Sequence, residues 1–126
     1  FGYSIGLDMT RRDLQAEMKR LGRPWEVSKA VEGSAPTSQL HLREETGLIN
    51  SGRIELRVNG EIKQESDLSM MIWTVSEQIS ILSEYYELAA GDIIMTGTPA
   101  GVGPVQKGDV MHGSIEGLGE LTVTVD

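Results

Sequence analysis

A chain of 126 residues with 39% apolar side chains is long enough for one domain with a core, residues 1–126, and too short for two. The absence of cysteine excludes a disulfide scaffold and thiolate chemistry and fits a reducing compartment, with the cytoplasm as the expected location. A formal charge of −8 argues against nucleic acid and anionic membranes as partners, and no apolar run approaches the roughly 18 residues of a membrane span.

The charge is unevenly spread. Six basic residues (Arg11, Arg12, Lys19, Arg20, Arg23, Lys29) face four acidic ones in the first 29 positions, which are net +2 against −10 for the remainder. Such a patch suits a small anionic ligand, or equally a solvated basic helix face. The chain opens on Phe1, so either an initiator methionine has been removed or upstream sequence is missing.

In chain order, "YSIGLDM" predicts a strand ending at Asp8. Thr10 with Asp13 three residues on resembles a capping box, and Leu14, Met18 and Leu21 then share a helical face that Gly22 ends. The stretch from Arg23 to Gly52 predicts a long irregular loop, of a length that is usually functional or disordered, with Trp25 and Lys29 as its anchors if ordered. "RIELRVNGEIKQES" predicts a β-hairpin turning at Asn59-Gly60. Asp67 or Ser69 would cap an amphipathic helix whose buried stripe is Leu68, Met71, Ile72, Val75, Ile79 and Leu82, with Met70, Met71 and Met95 as core fillers. A short apolar strand over "IIM", a loop "TGTPAGVG" and a final hairpin around Gly117 and Gly119 complete a mostly β chain with two helices, of α+β class.

Two stretches could carry chemistry. Asp8 is a carboxylate on a rigid strand end before a helix N-terminus, a place to hold a metal ligand or only a cap. The glycines of "TGTPAGVG" permit close backbone approach, and Thr96 and Thr98 could bind carboxylate or phosphate oxygens, although no Gly-Lys-Ser/Thr of a nucleotide loop follows. His41 and His112 share no ligand spacing, and the adjacent Glu44 and Glu45 point to opposite sides of an extended chain.

Three stretches in order, "GLDMTRRDLQ", "GRPWEVSKAVEGSAP" and "LAAGDIIMTGTPAGVGPVQKGD", with "VNGEIKQES…MIW" before the last, resemble the C-terminal catalytic region of the fumarylacetoacetate hydrolase family, closest to its acylpyruvate and fumarylpyruvate hydrolases. The resemblance implies a rolled, mixed β-sheet, a homodimer, and Mg²⁺ or Mn²⁺ as cofactor. It implies Asp8 as a metal ligand, Arg12, Gln15, Gly97 and Thr98 as substrate-binding residues, and Lys29 as the catalytic lysine. Arg12 and Gln15 also share a helix face by their spacing. The implied reaction is metal-dependent hydrolysis of a C–C bond in a small anionic 2-oxo acid such as fumarylpyruvate, in aromatic compound catabolism. Oxaloacetate decarboxylation, 2-oxo-acid isomerisation and a non-catalytic subunit keeping the fold are the alternatives. The family's Glu-x-Glu metal pair and water-activating His and Glu have no match here, so an N-terminal segment or a partner chain is expected to complete the site.

Overall fold

The computed structural model describes all residues 1–126. Its centre is a four-stranded antiparallel sheet in the order β4-β3-β5-β6, built from β3 (Arg53–Val58), β4 (Glu61–Asp67), β5 (Val110–Ile115) and β6 (Gly119–Thr124). The Asn59-Gly60 turn works because both residues take positive φ, 52° and 83°, which matches the twist of a two-residue hairpin. Pairing of Ile54 with Ile115, Leu56 with Gly113 and Val58 with Met111 puts the apolar residues of β3 and β5 on one face. The other face carries an ion ladder in which Arg53 and Arg57 both bond Glu55, with Arg57 Nε at 2.5 Å, while Arg53 also pairs with Glu65 at 2.7 Å.

The hairpin is not regular throughout. Leu56 opposes Gln64 but the next residue, Arg57, opposes Ile62, so Lys63 is an extra residue in β4. The bulge exchanges faces: Ile62 joins the charged side and is 39% exposed, and Gln64 is buried beside Leu56 on the apolar side.

The predicted first strand is reduced to β1 (Gly2–Tyr3), paired with β2 (His41–Leu42), followed by an extended but unladdered run. Residues 4–9 lie antiparallel to residues 34–38, with Leu7 N donating to Pro36 O, Met9 N to Ser34 O and Ser38 N to Ile5 O. Pro36 has no N–H to return, which interrupts the ladder. The predicted long loop is therefore ordered. It also contains two single-turn helices, α2 (Glu26–Lys29) and α3 (Arg43–Thr46).

α1 (Arg12–Leu21) ends at Gly22 in the left-handed conformation as expected, but its N-cap is Arg11 without a side-chain bond. Thr10 is not a cap; its hydroxyl donates back to the Asp8 carbonyl. The amphipathic helix is also shorter than expected. Asp67 caps only a 3₁₀ turn at Leu68–Met70, and α4 (Val75–Ser83) starts from a Thr74/Glu77 capping box. Ile72 (92% exposed) and Ile79 (44%) are not buried by this chain, and Met70 and Met95 are exposed rather than core. Residues 93–105 form no strand. The α+β class stands, the strand pairings are all antiparallel, and no helix is long and apolar enough to cross a membrane.

The buried apolar core is small: Ile5, Ile49 and Leu118 cluster, joined by half-buried Tyr3, Leu68, Ile115 and Leu121. Hydrogen bonds compensate locally, and they hold carboxyls ionised. Glu77 sits below its ordinary 4.5, first because the Thr74 hydroxyl donates to it and then through the Thr74 N–H. Asp67 sits below 3.8 through the Ser69 hydroxyl, then the Ser69 N–H. Lowered folded pKa values mean that this stabilisation is complete above the ordinary values and disappears as pH falls through the folded ones. Thr74→Ala is expected to cost about 1 kcal/mol at neutral pH. It should also flatten the acid limb of a plot of melting temperature against pH below pH ~5, and an unchanged limb would remove Glu77 from the cap.

Candidate functional site

The extended run, α1 and the loop after α4 enclose a cleft of about 900 Å³ floored by the apolar face of the sheet. Its position follows from one close packing. Ile5 and Leu7 cross the sheet at Gly113 of β5, where a Cβ would lie 3.6 Å from both, in ordinary van der Waals contact. Leu7 is buried against the floor and the next residue, Asp8, emerges at the rim with its carboxylate 46% exposed.

Lys29 reaches Asp8 from α2, with Nζ to Oδ2 at 2.6 Å. What brings α2 there is Ser28, which is fully buried. Its hydroxyl donates to the Trp25 carbonyl at 2.5 Å, and its own carbonyl accepts from Arg11 N at 3.0 Å, joining α2 to the start of α1. Lys19 of α1 lies 4.6 Å above the Trp25 ring, adding a cation–π contact to that junction. On the first turn of α1, Arg12 Nη1 donates to Gln15 Oε1 at 3.2 Å, so the amide fixes the guanidinium plane at one corner and leaves its remaining donors for a ligand.

The opposite wall is the loop 97–104. Gly97 takes φ 107° and Gly101 φ 101°, both in the region glycine favours. At Gly101 the loop presses on the β4 bulge: an added Cβ would lie 2.0 Å from the Lys63 carbonyl oxygen. Beside it, Gln64 Nε2 donates to Thr98 Oγ1 at 2.8 Å and to the Pro99 carbonyl at 2.6 Å.

All six residues singled out from the sequence, Asp8, Arg12, Gln15, Lys29, Gly97 and Thr98, line this one cleft. His41 and His112 do not; His112 pairs with Glu120 on the charged face of the sheet. Ser28 and Gln64 escaped the sequence reading. Gln64 carries a signal in retrospect, as an amide opposite Leu56 on a core-facing position of the hairpin. Ser28, a small polar residue in an irregular stretch, carries none.

The cleft is set for an anion and only in part for a metal. Arg12 and Lys29 supply positive charge, and the exposed pair of Lys29 and Asp8 is of the kind worth at most about 1 kcal/mol, so a ligand displaces it at little cost. Asp8 offers the oxygen that Mg²⁺ or Mn²⁺ prefers, but no group of three His, Asp or Glu side chains gathers here, short of the octahedral shell Mg²⁺ demands. Glu55 does not add to the set: the hydrogen bond from Arg57, with the charges of Arg53 and Arg57, holds it below the usual range and spends its oxygens on the ion ladder.

Comparison with known proteins agrees with this architecture. A family model described as fumarylacetoacetate (FAA) hydrolase C-terminal matches residues 1–126. Fumarylpyruvate hydrolase of a Ralstonia species is 46% identical over 125 residues, 99% of this chain and 65% of that protein. The human mitochondrial oxaloacetate tautomerase FAHD1 is 42% identical over 125 residues, again 99% of this chain but 57% of its own length. The crystal structure of fumarylpyruvate hydrolase from Pseudomonas aeruginosa in complex with Mn²⁺ and pyruvate superposes with a TM-score of 0.95 at 51% identity, covering 98% of this chain and 53% of that one. The chain thus spans between about half and two-thirds of the length of these relatives.

The loop wall can be tested by sterics alone. Gly101→Ala should cost about 3 kcal/mol, from the clash with the Lys63 carbonyl and the positive φ, whereas Gly103→Ala, with open space around it, should stay within about 0.5 kcal/mol. Equal urea midpoints for the two variants would contradict the close approach.

Proposed function

Because the chain belongs to the fumarylacetoacetate hydrolase family, we propose that it forms part of an enzyme hydrolysing a C–C bond of an acylpyruvate, with fumarylpyruvate the leading substrate. The observation that carries the proposal is the convergence of Asp8, Arg12, Gln15, Lys29, Gly97 and Thr98 on one cleft. The similarity to fumarylpyruvate hydrolases supports the substrate class.

Within that reading each residue has a task its geometry allows. Arg12, its plane set by Gln15, receives the substrate carboxylate. The backbone at Gly97 and the Thr98 hydroxyl contact substrate oxygens from the facing wall. Lys29 gives up its contact with Asp8 and places its ammonium where negative charge develops as the bond breaks. Asp8 is then free as one oxygen ligand to Mg²⁺ or Mn²⁺. A bound ion would supply Lewis-acid polarisation of the ketone. The remaining ligands, and the base that activates water, are assigned to polypeptide beyond these 126 residues, because neither histidine lines the cleft.

A second reading is favoured by one finding: the relatives include oxaloacetate tautomerases at 42% identity, and oxaloacetate presents the same 2-oxo acid unit. A homodimer in the cytoplasm remains our assignment for the assembled protein. The exposed apolar run of Met70, Ile72, Trp73, Tyr85, Tyr86 and Ile93 supports an interface that a second copy would cover.

Fumarylpyruvate, acetylpyruvate and oxaloacetate, supplied in parallel with Mn²⁺ to the protein at its natural length, distinguish the readings. Cleavage of an acylpyruvate is expected. Oxaloacetate tautomerisation alone would move the assignment to the second reading, and inertness toward all three would overturn both. Lys29→Ala should lower kcat by about 100-fold with little change in the Mn²⁺ concentration required, whereas Asp8→Asn should raise that concentration. The reverse pattern would exchange their roles.

A further inference from the structure

We infer that Gln64, on the bulged strand β4, is a positioning residue that turns Thr98 into a dedicated hydrogen-bond donor toward a 2-oxo acid in the cleft.

The orientation of the Gln64 amide is fixed by its partners. A proline carbonyl can only accept, so the atom 2.6 Å from Pro99 O must be the amide nitrogen. The same nitrogen lies 2.8 Å from Thr98 Oγ1 and has a second proton to give it. A hydroxyl that accepts in this way keeps its own single proton free, and that proton must point away from Gln64. Thr98 is exposed and lines the cleft, so the proton is available to an oxygen acceptor there. Without Gln64 the hydroxyl could as readily present a lone pair, which an anionic ligand would meet as repulsion.

Two further observations make Gln64 specific to this task. It is 8% exposed on the apolar face of the sheet, a costly place for an amide unless its polar atoms are bonded. The extra residue Lys63 is what turns Ile62 to the other face while Gln64 stays on this one, and the Lys63 carbonyl is the atom that Gly101 approaches. Bulge, amide and glycine therefore act on one stretch, residues 98–101, and set both its distance from the sheet and the direction of its hydroxyl.

The inference rests on the proposed 2-oxo acid site, and a double-mutant cycle separates the two. Pyruvate affinity is measured by calorimetry with Mn²⁺ present, on the protein at its natural length and on Gln64→Leu, Thr98→Val and the double variant. Gln64→Leu should weaken binding about tenfold when Thr98 is present and less than about threefold when it is Val. Gln64→Glu, close in shape but unable to donate at neutral pH, should reproduce the loss if Leu disturbs folding. Equal losses in both Thr98 backgrounds, or no loss in either Gln64 variant, would overturn the inference. If the unsubstituted protein fails to bind pyruvate, the site reading itself falls and takes the donor role with it. Backbone ¹⁵N relaxation then decides the anchoring alone: lower order parameters confined to Thr98, Ala100 and Gly101 in Gln64→Leu uphold it, and unchanged ones overturn it.

Discussion

The packing of Ile5 and Leu7 across β5 at Gly113 is the contact on which the site depends. It allows Ile5 and Leu7 to bury against the sheet, with Ile5 at 3% exposure, and it delivers Asp8 to the rim as the next residue along. From there α1 starts within a turn, and Ser28 ties α2 to that start, so Lys29 arrives opposite Asp8. The second wall is set by the bulge at Lys63. The cleft is thus held between the apolar packing of Ile5 and Leu7 on β5 and a backbone contact on β4 that excludes a side chain. Such contacts are stiff in a way that long charged side chains are not, which lets a chain with few fully buried residues still hold a defined site.

Much of this was legible in the sequence where local chemistry decides structure. The Asn59-Gly60 hairpin, the helix ending at Gly22 and the turn of Gly117 and Gly119 follow from backbone preferences that few residues satisfy. The six cleft residues were legible through motif resemblance, since residues 8, 15, 29 and 98 are brought together by no local pattern. What was not legible needed tertiary information. Pro36 interrupts the partner of the first strand from across the fold, and the bulge shifts Gln64 relative to Ile62 without any glycine to mark it. Thr74, not Asp67, begins α4, because Thr74 with Glu77 completes a reciprocal box that Asp67 cannot form.

The apolar stripe predicted for the helix after the hairpin shows the limit of periodicity. Ile72 and Ile79 have the spacing of a buried face, yet nothing within these residues covers them. Periodicity reports that a face is to be covered and not by what. The same is true of the chemistry. Asp8, Arg12, Lys29 and Thr98 line one cleft, in which the proposed function gives Asp8 to a metal and Arg12 to a carboxylate, and the chain spans 53% of its Pseudomonas relative.

The proposed function requires Asp8 and Lys29 to exchange their mutual ion pair for separate partners when a 2-oxo acid and its metal occupy the cleft. Anomalous diffraction from crystals of the natural-length protein grown with Mn²⁺ and pyruvate tests it most directly. A manganese peak is expected within coordination distance of an Asp8 oxygen, with the Lys29 ammonium moved off Oδ2 and toward the ligand. A manganese site away from Asp8, with the 2.6 Å pair intact beside bound pyruvate, would contradict it.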